Sequence, residues 1–162
     1  MTKENIEEII NLSLDELYVN EKKILTKEYN IGERTISNKL GNYIDILIGN
    51  QYDVDVEYNR MRTKYEHNDL GNLMGKILNW EESGEGSGFV YPDIIIHKRD
   101  TSINIVEIEV KMSWKNRKKE YDYLKINEYM KQLGYQFGVY IELCEKRENC
   151  LIEFGPFNLL KV

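Results

Sequence analysis

The chain has 162 residues, 41% of them hydrophobic and 31% charged, with only 2 prolines, which is the size and balance of one globular domain and excludes disordered and collagen-like classes. No run approaches the roughly 18 apolar residues of a membrane span, and the opening MTKENIEEII is acidic where a secretion signal is basic and then apolar, so a cytoplasmic protein is expected. The formal charge of −6 argues against coating nucleic acid by bulk electrostatics.

In chain order, Ile6, Ile9 and Ile10 start a helical pattern, and Ser13 with Glu16 forms a capping-box signature before Leu17, so two short helices or one broken helix are expected. Residues 1–30 then read as a helical extension, before a core over residues 32–144. From Gly32 to Ile48 the apolar positions Ile36, Leu40, Tyr43, Ile44, Leu47 and Ile48 predict an amphipathic helix, stopped by Gly49. The period then changes to two. Tyr52, Val54, Val56 and Tyr58 alternate with acids, as in a strand with one buried face. A short helix is expected around Leu73 to Trp80, and Glu81 to Gly88 (EESGEGSG) reads as a surface loop. Pro92 opens the apolar strand Asp93 to Ile96, and Lys98 to Ser102 suits a hairpin turn into a second strand, Ile103 to Met112. A helix over Tyr121 to Leu133 follows, closed by Gly134, then strands at Phe137 to Leu143 and Leu151 to Phe154. The core order is α-β-β-β-α-β, and the strand–helix–strand from Ile103 to Leu143 makes the sheet mixed, so the class is α/β, a mixed central β-sheet flanked by helices. Cys144 and Cys150, with His67 and His97 as the only histidines, make neither a disulfide framework nor a zinc pattern, and read as reduced thiols.

In the strand Ile103 to Met112, side-chain alternation turns Val106, Ile108 and Val110 one way and Glu107, Glu109 and Lys111 the other. On a central strand three charges on one face require solvent, mutual pairing or a bound ion; on an edge strand they would simply be wet. Hairpin pairing brings Asp93 beside Glu109, at about the 5 Å spacing of neighbouring strands, where two acids repel unless a cation sits between them. Mg²⁺ suits a site of a few carboxylates, water and phosphate oxygens, and Lys111 would then stabilise charge developing on a phosphate. Glu33 shares the apolar stripe of its helix and so adds a carboxylate on the core side, or serves as an ordinary first-turn acid complementing the helix dipole.

These residues resemble a known family. Pro92-Asp93, an apolar strand, a turn and Glu109-Val110-Lys111 ending a second strand, within the α-β-β-β-α-β order, look like the PD-(D/E)XK nuclease superfamily with its restriction-endonuclease-like fold. The resemblance covers roughly residues 32–144. It implies that Asp93, Glu109 and the carbonyl of Val110 hold Mg²⁺, with Mn²⁺ as a possible substitute, that Lys111 is the catalytic lysine, and that Glu33 matches the acid many members carry on the first core helix. Some members carry a Gln and a downstream Tyr on the following helix; Gln132 and Tyr135 are similar but depart from the Gln-x-x-x-Tyr spacing.

The remaining expectations concern substrate. Asp122, Lys125, Tyr129 and Gln132 align as a polar stripe that would border the site, and Arg60, after the first core strand, would grip phosphate or simply end that strand in water. Lys115, Arg117, Lys118 and Lys119 would position phosphates at the rim, or form a solvated loop. No serine-hydrolase or phosphate-cradling glycine motif is present. The sequence thus points to a Mg²⁺-dependent endo- or exodeoxyribonuclease acting on nucleic acid, DNA favoured, with no membrane partner and a homodimer left open. The alternative is a catalytically inactive module on the same fold, binding nucleic acid or a protein.

Overall fold

Thr2 starts the first helix. In the computed structural model, which describes residues 1–62, 73–80, 85–115 and 118–158, its side chain accepts from the Asn5 backbone while Asn5 returns the bond to the Thr2 backbone, a reciprocal cap. Helix α1 (Lys3–Asn20) then runs unbroken, unlike the broken helix expected: Ser13 is buried inside it and caps nothing. Ile6, Ile10, Leu14 and Leu17, spaced by 4, 4 and 3, are all fully buried. Residues 1–30 are therefore an integral wall of the core, each such side chain contributing about 1.5–3 kcal/mol on burial. Helix α2 (Glu33–Ile48) packs against α1 and buries Ile36, Leu40, Ile44 and Ile48 of the predicted stripe, while Leu47 of that stripe is exposed.

Five strands make the main sheet, in spatial order β1 (Asp53–Val56), β6 (Ile94–His97), β7 (Asn104–Met112), β8 (Phe137–Leu143) and β9 (Leu151–Phe154). Neighbours are antiparallel except β7 and β8, which are parallel and joined through helix α3 (Lys119–Leu133). The protein is thus α/β with a mixed five-stranded sheet flanked by helices. Four further strands form two small ribbons: β2 (Arg60–Arg62) pairs with β3 (Leu73–Gly75), and β4 (Ile77–Trp80) with β5 (Glu85–Phe89). Leu73 to Trp80 is therefore not a helix. Its two halves pair in opposite directions, Leu73–Gly75 back onto β2 and Ile77–Trp80 forward onto β5, and strand pairing of this kind overrides a weak local pattern. The loop expected over Glu81 to Gly88 is likewise corrected, since residues 85–88 lie in β5; its first half and His67 lie outside the described residues.

The principal core lies between α1, α2 and one sheet face, where Val106, Ile108, Val110 and Met112 of β7 meet Ile94, Ile96, Val139 and Ile141. A smaller cluster on the other face gathers Leu78, Val90, Ile95, Tyr129, Leu133 and Tyr135 under α3. Gly138 lets α3 approach β8 closely: a Cβ there would stand 2.2 Å from a methyl carbon of Ile126. Gly134, at φ +70°, closes α3 in the left-handed conformation glycine favours. Cys144 and Cys150 are free thiols. Among the described residues no helix is long and apolar enough to cross a membrane.

Candidate functional site

Alternation along β7 sends Glu107, Glu109 and Lys111 to the face opposite the principal core, as expected. Since β7 is the middle strand of five, the wet edge-strand alternative falls: the three residues are 0%, 1% and 8% exposed. Buried charges must be paired, and Glu109 and Lys111 are. The Lys111 ammonium lies 3.6 Å from Asp122 Oδ1, 3.7 Å from Glu33 Oε2, 3.8 Å from Asp93 Oδ2 and 3.8 Å from Glu109 Oε2. A second ammonium, Lys125, stands 2.6 Å from Glu109 Oε1.

Each acid arrives by a separate route. Asp93 stands one residue before β6, and extending the Ile94–Ile108 register by one sets it opposite Glu109; its Oδ2 accepts a 2.9 Å hydrogen bond from the Val110 N–H. Glu33 comes from the first turn of α2 and Asp122 from the first turn of α3. Lys125 follows three residues after Asp122 on the same helix face.

Electrostatics there are those of crowded acids. Burial and the Glu109 charge push the Asp93 carboxyl up to about 7, against the pull of Lys111 and the Val110 N–H. Burial, then Glu109, pushes Glu107 well above the usual carboxylate range. Burial also raises Asp122. Lys111 and Lys125 are desolvated, yet the surrounding carboxylates raise both and keep them charged.

Glu107 aside, the four carboxylates Glu33, Asp93, Glu109 and Asp122, once ionised, face two ammonium groups, an excess of two negative charges in a buried place. All the donors are oxygen, the hard ligand set of Mg²⁺ or Mn²⁺. Among the described residues no three acids, histidines or cysteines gather as a ready-made cage, because the Lys111 ammonium holds the centre. Mg²⁺ does not need such a cage: one or two carboxylates suffice where water and phosphate oxygens complete the octahedron. Asp93 and Glu109 take opposed places on neighbouring strands, and an oxygen of each lies 3.8 Å from the Lys111 ammonium.

Other predicted residues fall elsewhere. Lys125 does not face a phosphate path; it is turned inward onto Glu109. Gln132 donates to Glu128 one helical turn back. Arg60 is exposed at the start of β2, and Arg34 rather than Arg60 pairs with Glu57, at 2.6 Å. In the basic run, Lys115 donates to the Ile31 carbonyl at 3.2 Å, Lys119 pairs with Glu142 at 3.1 Å, and Lys118 is exposed; Arg117 lies outside the described residues. Asp122 is the member that sequence reading placed on a bordering stripe without assigning it a role. Its signal was the Asp122–Lys125 spacing, and its contact depends on how α3 lies across β7. No protein-family model, curated protein or solved structure matches the chain.

Proposed function

We propose that this chain is a divalent-cation-dependent nuclease of restriction-endonuclease-like architecture, hydrolysing phosphodiester bonds of nucleic acid in the cytoplasm. The observation that carries the reading is the meeting of Asp93, Glu109 and Lys111, with Glu33, from separate elements around one point on a central strand. The α2-β1-β6-β7-α3-β8 order supports the same architecture. The resemblance in motif, rather than any contact in the site, favours DNA over RNA.

Asp93 and Glu109 would hold Mg²⁺ or Mn²⁺, with the Val110 carbonyl as the third protein ligand. The ion, when bound, supplies neutralisation of the phosphate and a lowered pKa for the attacking water. The chain does the rest. Lys111, the catalytic lysine, carries an ammonium able to reach a phosphate oxygen and stabilise charge that grows on it in the transition state. Asp122 and Glu33, 3.6 and 3.7 Å from that ammonium, help to hold it, so it is oriented before substrate arrives. Burial of the cluster lowers the local dielectric and strengthens each of these contacts.

One observation favours the second reading, a binding module without turnover: Lys111 already satisfies four carboxylates, so the cluster is partly self-neutralised. The test is incubation of the purified protein with Mg²⁺ or Mn²⁺ and, in turn, plasmid, single-stranded DNA and RNA. Expected is cleavage that requires the cation and is lost in Lys111→Ala and Asp93→Asn. Binding without cleavage of any substrate at millimolar cation would select the module instead.

A further inference from the structure

We infer that Lys125 sets which divalent cation the site accepts, by withholding one oxygen of Glu109 from it; the inference rests on the metal-dependent reading above. Glu109 is gripped unequally. Lys125 touches Oε1 at 2.6 Å, whereas Lys111 stands 3.8 Å from Oε2. The Lys111 ammonium beside Oε2 is also 3.8 Å from Asp93 Oδ2, so Oε2, not Oε1, is the oxygen that shares a neighbour with Asp93. A cation shared by Asp93 and Glu109 therefore meets Oε2, with Oε1 already committed.

The commitment is firm. The Glu109 side chain is 1% exposed and that of Lys125 17%, so little water competes for the pair, and the Lys125 ammonium lies 5.6 Å from the Tyr129 ring centre. Glu107, fully buried two residues back on the same strand face, adds a further polar neighbour rather than an exit to solvent.

Cations differ in what they ask of a carboxylate. Ca²⁺ takes six to eight oxygens and often binds both oxygens of one carboxylate, whereas Mg²⁺ requires an octahedron and takes one. An ammonium on Oε1 opposes the two-oxygen mode twice: it occupies the second oxygen and sets a like charge beside the incoming dication. The one-oxygen mode, in which the ion stays on the Oε2 side, suffers less. Lys125 is thus a positioning residue that favours Mg²⁺ and Mn²⁺ over Ca²⁺. A lysine serving only as counter-charge would weaken every dication alike, so the ratio of affinities separates the two roles.

The experiment measures melting temperature against concentration of MgCl₂ and of CaCl₂ for the parent chain, Lys125→Met, Lys125→Arg and Lys111→Met; ion binding to the folded state raises the midpoint and reports an affinity without any turnover. Expected is a gain of Ca²⁺ on Mg²⁺ of about tenfold in Lys125→Met, at the low end of what changes behind a metal ligand produce. Lys125→Arg should keep the parent ratio, and Lys111→Met should strengthen both cations equally. Lys125→Gln is measured alongside, since its shorter polar side chain is gentler on the helix, and a folded sample of either variant decides. Equal strengthening of both cations on losing Lys125 overturns the inference. Absence of any shift in the parent is a different result, since it removes the metal-dependent reading before a variant is examined.

Discussion

Lys111 is held by four carboxylates and therefore does two jobs, one electrostatic in the resting protein and one in the proposed chemistry. A lysine that served the transition state alone could be removed without cost to the fold. This one cannot, because its loss leaves Glu33, Asp93, Glu109 and Asp122 facing one another with Lys125 as the nearest remaining cation. Removing one partner from a buried ion cluster costs about 3 kcal/mol, which at this size lowers Tm by roughly 9 °C. Lys111→Ala should show that loss in metal-free buffer by calorimetry. Millimolar Mg²⁺ should return more stability to the variant than it adds to the parent, since the vacated place then suits the ion. A loss that Mg²⁺ leaves untouched would mean that these acids do not form a cation site.

At the scale of elements, β6, β7, α3 and β8 are legible in the sequence because each carries its own period: two for the strands, three to four for the helix, with Gly134 as a stop. The same alternation places Glu109 and Lys111 on one face, and the hairpin register brings in Asp93. What could not be read locally is how α3 lies across β7, which depends on Gly138 admitting Ile126 at close range; without that the contacts of Asp122 and Lys125 are invisible. The ribbons have no period of their own to read, since β3 and β4 are three and four residues long and are strands by virtue of pairing with β2 and β5. Lys76 joins them. Its backbone N–H donates to the Asn59 carbonyl and its carbonyl accepts from Val90, at 2.6 and 3.0 Å, while its ammonium is fully buried, 3.4 Å from the Tyr58 carbonyl and 5.4 Å from the ring centres of Tyr58 and Tyr135. Burial pushes this ammonium down to about 7, Asp55 and Glu107 pulling weakly the other way. The sign follows: below pH 7 folded and unfolded chains both carry the proton and the folded state bears the full cost of the buried charge. From pH 7 towards 10 only the unfolded chain stays charged and the cost fades. Lys76→Met should therefore stabilise the protein by something on the order of 2 kcal/mol at pH 6, and the gain should shrink steadily between pH 7 and 10. Melting curves across that range check it, and a gain that ignores pH would show that burial does not lower the pKa of this ammonium.

Over the whole molecule the central sheet separates two kinds of interior: an apolar one beneath α1 and α2, and beneath α3 one in which a smaller apolar cluster lies beside buried charges. The outside is acidic, with a net charge of −6, so a nucleic-acid strand is repelled by most of the surface and must be drawn in locally. The basic run after β7 is less available for that than its composition suggests. Lys115 is spent on a backbone carbonyl and Lys119 on Glu142, which leaves Lys118 as the exposed member among the described residues of that run. Each phosphate neutralised on duplex contributes a slope of about −0.9 to log affinity against log salt, so the slope for this protein should be shallow, about −2 or weaker. Affinity is best measured with Asp93→Asn protein, so that cleavage does not intrude. In that background Lys118→Ala should flatten the slope by roughly one unit, whereas Lys119→Ala should change it little and instead release Glu142. Neither substitution should alter sequence preference, because a phosphate contact fixes register without reading bases. A slope as steep as about −5 would mean six or so phosphate contacts, more than the described residues of that basic run supply. Equal flattening by Lys118→Ala and Lys119→Ala would mean that the Glu142 pair opens when nucleic acid binds.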